Sequence, residues 1–241
     1  MAEFNGHLGT SGEPNEALPK ESIATVPSSG AGMLPIVGLG GSAGGIRALQ
    51  EFFAAMPVDS GMAFVVILHL SPEHESTLAE MFQRSTAMPV VVAKDGVTVQ
   101  ANSVYVIPPG KFLASANGHL RLDDAQEPRG KRVAVDYFFR TLAETHGAES
   151  VAVVFSGAGG DGALGLKRVK ELGGLTIAQD PHEAEHSDMP RAAIATGVVD
   201  WVLGVKEMPA RLLAYMQHRG ALKLARRGWA APRAARRAFA R

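Results

Sequence analysis

The stretch Gly38-Leu39-Gly40-Gly41-Ser42-Ala43-Gly44-Gly45 (GLGGSAGG) can be read in two ways. Gly38 to Ala43 fits G-x-G-x-x-[GA], the turn that brings backbone amides against a dinucleotide pyrophosphate. Gly40 to Gly44 fits G-x-S-x-G, the sharp strand-to-helix turn that presents a serine hydroxyl. Both patterns are short and rich in glycine, so the rest of the chain must choose between them.

Working outward, LPIVGLG (34–40) and MAFVVILHL (62–70) read as buried strands, with an amphipathic helix at about 45–56 between them. PVVVAKD (89–95) is a third strand after a helix near 74–84. VAVVFSG (151–157) and LTIAQD (175–180) continue the series, with GALGLKRVKELGG as the intervening helix. VVDWVL (198–203) closes it before a last helix at about 206–217. Continuous apolar strands separated by helices predict a parallel sheet covered on both faces. The middle differs: 103–123 holds short strands joined by Pro-Gly and Asn-Gly turns, which predicts an appended antiparallel hairpin. The expected organisation is a flexible leader (1–33), one α/β domain (34–217) and a basic tail (218–241).

An apolar share of 46% with 20% charged residues is that of an ordinary soluble globular protein. The chain has no cysteine, which excludes disulfides, thiolate metal sites and a cysteine nucleophile. No apolar run approaches the ~20 residues of a membrane span, and the N-terminus lacks the layout of a secretory signal. A cytoplasmic location is expected. The zero net charge hides an asymmetry: residues 219–241 hold eight of the 24 Lys/Arg and no Asp/Glu, so the body is acidic. Nucleic acid or an anionic membrane is therefore expected to make contact only through this tail, whose ordinary reading is a solvated, partly helical terminus.

In a parallel sheet, catalytic groups gather at the carboxyl ends of strands. The first strand ends in Gly40-Gly41-Ser42, the second in His69, and VAVVFSG leads into AGGDG with Asp161. A serine, a histidine and an aspartate at three strand ends are the parts of a hydrolytic triad. Each has an ordinary alternative: Ser42 as the N-cap of the next helix, His69 as a satisfied strand-end histidine, Asp161 as the N-cap of a helix starting near Ala163. Their joint placement at strand ends favours the triad. The dinucleotide reading needs an acidic residue at the end of the second strand, and that strand ends Leu68-His69-Leu70-Ser71. HEAEH (182–186) fits the zinc pattern H-E-x-x-H, with Glu207 as a distant third ligand. Its only apolar residue from His182 to Asp188 is Ala184, and Pro190 would cut a helix short, so a polar loop and no metal are expected.

GLGGSAGG, VVILHLSP, VAVDYFFRTLAE, VVFSGAGGDGALGLKRVKELGG, TIAQD and MPRAA together resemble CheB-type protein-glutamate methylesterase domains of bacterial chemotaxis, in order from about Pro35 to Leu203. The resemblance implies a doubly wound, mostly parallel α/β sheet with an antiparallel hairpin. It implies hydrolysis of glutamate methyl esters on the cytoplasmic helices of chemoreceptors, releasing methanol, with some members also deamidating receptor glutamines. It places the nucleophile at Ser42, the histidine at His69 and the aspartate at Asp161, with no cofactor. Backbone amides around Ala43 and Gly44, and in the Gly157-Ala158-Gly159-Gly160 turn, are the expected oxyanion and substrate contacts. Ala43 stands where the family often has Thr, and Ala158 and Gly160 where it often has Met and Asn. Only about 33 residues precede the domain, too few for the receiver domain of many relatives, so control by a receiver protein or a methyltransferase is expected in trans.

Overall fold

A computed structural model describes residues 33–42, 44–68, 77–124 and 133–228, with side chains through residue 219. Seven strands form one parallel sheet: β1 (Ile36–Gly41), β2 (Ala63–Leu68), β3 (Val90–Val92), β5 (Ser103–Val106), β8 (Ser150–Val154), β9 (Leu175–Gln179) and β10 (Trp201–Leu203). Their order is β10-β9-β8-β1-β2-β5-β3. A second, antiparallel sheet has the order β4-β7-β6, from β4 (Val97–Thr98), β6 (Lys111–Ala116) and β7 (His119–Asp124). The helices are α1 (Gly45–Ala55), α2 (Leu78–Gln83), α3 (Ala134–His146), α4 (Ala163–Glu171), α5 (Asp188–Ala195) and α6 (Met208–Gly228).

Strands β1, β2, β8 and β9 are buried at every residue, which is why they read as unbroken apolar runs rather than alternating ones. Val37 and Leu39 of β1 point into a core shared with Phe52 and Phe53 of α1, Phe82 of α2 and Leu212 of α6. Ile36 points the other way, toward Val135, Phe138 and Phe139 of α3, with Leu166 of α4 and Ala193 of α5 in the same core. Gly38 and Gly40 share that second face by the two-residue period of a strand. A Cβ on Gly40 would stand 2.3 Å from Val135 Cγ1, and one on Gly38 would stand 2.9 Å from Phe139 Cε1. The two glycines of the opening stretch therefore seat α3 against the sheet. Gly40→Ala is expected to destabilise the fold by roughly 1–3 kcal/mol through overpacking, read as a lower denaturant midpoint at unchanged slope. An unchanged midpoint would mean that α3 does not lie this close.

Three expectations need correction. Ser103–Val106 is not part of the hairpin but a parallel strand between β2 and β3, in register Ala63↔Ser103 and Val90↔Val104. The Pro-Gly turn after it links the two sheets, and the hairpin proper is β6–β7, closed by Asn117 and Gly118 with φ of 49° and 82°. Pro190 does not end a helix; it lies in the first turn of α5, where a missing N–H costs no intrahelical bond. The last helix runs past residue 217 to Gly228, and Arg219, the first cation of the basic stretch, is tied back to Glu149 at 2.8 Å. No helix among the described residues is long and apolar enough to cross a membrane.

Candidate active site

The chain leaves β1 for β2 on one side and later fills β8, β9 and β10 on the other, so strand order reverses between β1 and β8. Ligand sites of open α/β sheets lie outside the carboxyl ends of strands at such a reversal. Ser42 follows β1 directly, and the segment from Phe155 to Asp161 follows β8. The β1–β8 ladder continues past both strands: Phe155 N donates to Gly40 O at 2.8 Å, and Ser42 N donates to Ser156 O at 3.0 Å. Ser42 is thus held by backbone bonds, with its residue only 4% exposed. It does not cap α1. The N-cap is Gly44, in the left-handed region at φ 74°, where a Cβ would also stand 2.6 Å from Ser156 Oγ.

Gly157 lies flat against the serine. A Cβ there would approach Ser42 N and Cβ to 2.9 Å and Met189 Sδ to 2.1 Å. Its amide, expected among the substrate donors, donates instead to His186 O at 3.0 Å, and its carbonyl accepts from Met189 N at 3.0 Å. Ala158, Gly159 and Gly160 are exposed beyond it.

Asp161 is buried, and its two oxygens accept from the first turn of α3: Oδ2 from Val135 N at 3.0 Å and Oδ1 from Asp136 N at 2.9 Å. The N-cap of the helix that follows it, α4, is Gly162, while both Asp161 oxygens reach across to the amides that open α3. Asp136 reciprocates, its Oδ1 accepting from Gly165 N of α4 at 2.7 Å. Burial pushes the Asp161 carboxyl up to about 6, against the pull of the Asp136 and Val135 amides. Burial raises Asp136 as well. Ala43 and His69 lie outside the described residues.

The HEAEH segment runs through turns and bends to the start of α5. Glu183 Oε2 accepts from Val205 N at 2.9 Å, and His186 N donates to Ser156 Oγ at 2.9 Å. The loop is thereby stapled to the ends of β8 and β10. Among the described residues no group of three His, Cys, Asp or Glu is placed to hold a metal ion. Sequence reasoning passed over Ser156 and Gln179, both buried, although Gln179 places a long polar side chain at the end of a strand buried throughout. Gln179 Oε1 accepts from Ser156 N at 2.8 Å. A cleft of about 270 Å³ opens beside this pair, lined also by Gly44, Arg47, Glu51 and Glu185.

The family model for the CheB methylesterase matches residues 37–212. A Geobacter metallireducens protein-glutamate methylesterase/protein-glutamine glutaminase 1 is 33% identical over 189 residues, covering 77% of this chain and 52% of that protein. A Cupriavidus pinatubonensis protein of the same name is 33% identical over 205 residues, covering 82% of this chain and 58% of that protein. The chain thus spans little more than half the length of these relatives. The crystal structure of the Thermotoga maritima CheB methylesterase catalytic domain superposes with a TM-score of 0.71 at 29% identity, over 76% of this chain and 99% of that one. On the match from residue 37 to 212, which takes in the reversal between β1 and β8, this chain belongs to the CheB methylesterase family.

Proposed function

We propose that the protein is a protein-glutamate methylesterase acting on methylated cytoplasmic helices of chemoreceptors. Ser42 is the nucleophile, His69 the general base and acid, and Asp161 the carboxylate that orients and charges the histidine. The observation that carries this reading is the emergence of Ser42 and Asp161 from β1 and β8, at the reversal of strand order. Ser42 Oγ attacks the ester carbonyl while His69 takes its proton, and the tetrahedral oxyanion is met by backbone amides at Ala43 and the Ala158–Gly160 turn. Collapse breaks the C–OMe bond, His69 returns the proton, and methanol leaves. Water then adds to the acyl-serine by the same proton path, leaving glutamate and free Ser42. A glutamine side chain would pass through the same acyl-serine with ammonia as the leaving group, in keeping with the second activity in the relatives' names.

The test is to incubate the purified protein with a receptor cytoplasmic fragment carrying labelled methyl esters and to follow volatile label. Release of labelled methanol is expected, and its absence with a folded protein would overturn the assignment.

A further inference from the structure

Gln179 is 3% exposed and lines the cleft alongside Gly44 and Ser156, the residue whose carbonyl accepts from Ser42 N at 3.0 Å. The orientation of its carboxamide is fixed by chemistry. The Ser156 amide can only donate, so the atom facing it at 2.8 Å is Oε1, and the NH₂ group is turned away from that bond. Among the described residues none accepts a hydrogen bond from Nε2. A buried donor without a protein acceptor is costly, because the group has left water and gained nothing in exchange. Here it borders a cleft large enough to admit part of a substrate.

The surroundings select the kind of acceptor that fits. The cleft carries the carboxylates of Glu51, Glu183 and Glu185 against one guanidinium, Arg47, whose Nε is bonded to Glu51 at 3.2 Å. Glu183 is occupied with Val205 N, and Glu185 packs beside Gly44, where its Cβ lies 2.8 Å from the position a Gly44 Cβ would take. An entering carboxylate would satisfy the donor but meet this excess of negative charge, whereas a neutral carbonyl satisfies it without repulsion.

We infer that Gln179 Nε2 forms a substrate subsite for an uncharged carbonyl, carried by a side chain next to the scissile ester on the same receptor helix. This rests on the methylesterase reading for the identity of the helix. The methylesterase would then favour segments whose neighbouring side chains are amides or esters over segments whose neighbours are free carboxylates.

The experiment measures binding, so that it stands apart from turnover. Three fluorescein-labelled helical peptides carry an ethyl ketone isostere of glutamate methyl ester at the scissile position. One turn away on either side they carry N,N-dimethylglutamine, norleucine or glutamate. The parent is expected to bind the dimethylglutamine peptide about tenfold more tightly than the norleucine peptide, the difference one hydrogen bond supplies, and the glutamate peptide most weakly. Gln179→Glu keeps an acceptor for Ser156 N but loses the donor, and the advantage of dimethylglutamine over norleucine should vanish. Equal affinities in the parent, an advantage that survives in Gln179→Glu, or no binding of any peptide would each overturn the subsite. The parent comparison decides even if the variant proves unstable by circular dichroism. A preserved preference without methanol release in the receptor assay would overturn the methylesterase reading and leave the subsite standing.

Discussion

Ser42→Ala is expected to lower methanol release by about 10⁴-fold or more while leaving the melting temperature and receptor affinity close to those of the parent. The size of the loss follows from the role: no other atom can form the acyl bond, so the variant retains only what binding and oxyanion donors supply. The preservation of the fold follows from how the residue is held. Two backbone bonds hold it in the turn, from Ser42 N to Ser156 O and from Gly45 N to Ser42 O, and alanine keeps both. The left-handed turn at Gly44 and the close approach of Gly157 are likewise indifferent to the hydroxyl. A rate within tenfold of the parent would remove Ser42 as nucleophile. A loss of rate with an equal loss of stability would make it a structural residue.

The same contacts show what could be read from the sequence and what could not. Ile36–Gly41, Ala63–Leu68, Ser150–Val154 and Leu175–Gln179 are legible because central parallel strands are apolar on both faces and short enough to be bounded by Gly and Pro. Ser103–Val106 was misplaced because four buried residues beside a Pro-Gly turn carry no mark of whether their partners lie before or after them. The opening glycines matched two ligand motifs, yet Gly38 and Gly40 are explained by Val135 and Phe139, about 100 residues away. Asp161 shows the same limit. Local reasoning offered it α4, the next helix in the chain, whereas its oxygens serve the amides of Val135 and Asp136. Gln179 escaped notice because a polar residue at a strand end is unremarkable until the amide it accepts and the cleft it borders are both in view.

Asp161→Asn is expected to cost up to ~10⁴-fold in rate and to change the shape of the pH profile as well as its height. Two groups set the parent profile. His69 must be neutral to accept the serine proton, with an ordinary pKa near ~6.5. Asp161 must be ionised to orient it, and burial has raised that carboxyl to about 6. Both requirements are met as pH rises, and each charge favours the other, so they titrate as a coupled pair. That coupling draws the two ionisations apart, the carboxyl downward and the histidine upward. The logarithm of kcat/KM should therefore climb with a slope of one through the histidine ionisation, steepen only at the acid end where the carboxyl takes its proton, and flatten above the histidine pKa. The asparagine variant has one ionisation left, so its slope should stay at one to the acid end and its rise should move to lower pH, since the histidine no longer has an anion beside it.

Stability supplies an independent reading of the same group. A carboxyl raised from 3.8 to about 6 on folding binds its proton more tightly in the native state. Its contribution is therefore fully present below about pH 4 and is lost as pH rises through about 6, a swing on the order of 3 kcal/mol. Asparagine leaves one of the two α3 amides without its acceptor, a cost that does not depend on pH. Denaturant unfolding at pH 4 and pH 7 should accordingly show the variant gaining on the parent as pH rises. A stability difference that stays constant across that interval would mean that Asp161 is not held as a buried carboxylate. A variant rate profile with the parent's shape and midpoint would sever the link between Asp161 and the histidine, and the aspartate would be left with its structural task at the start of α3.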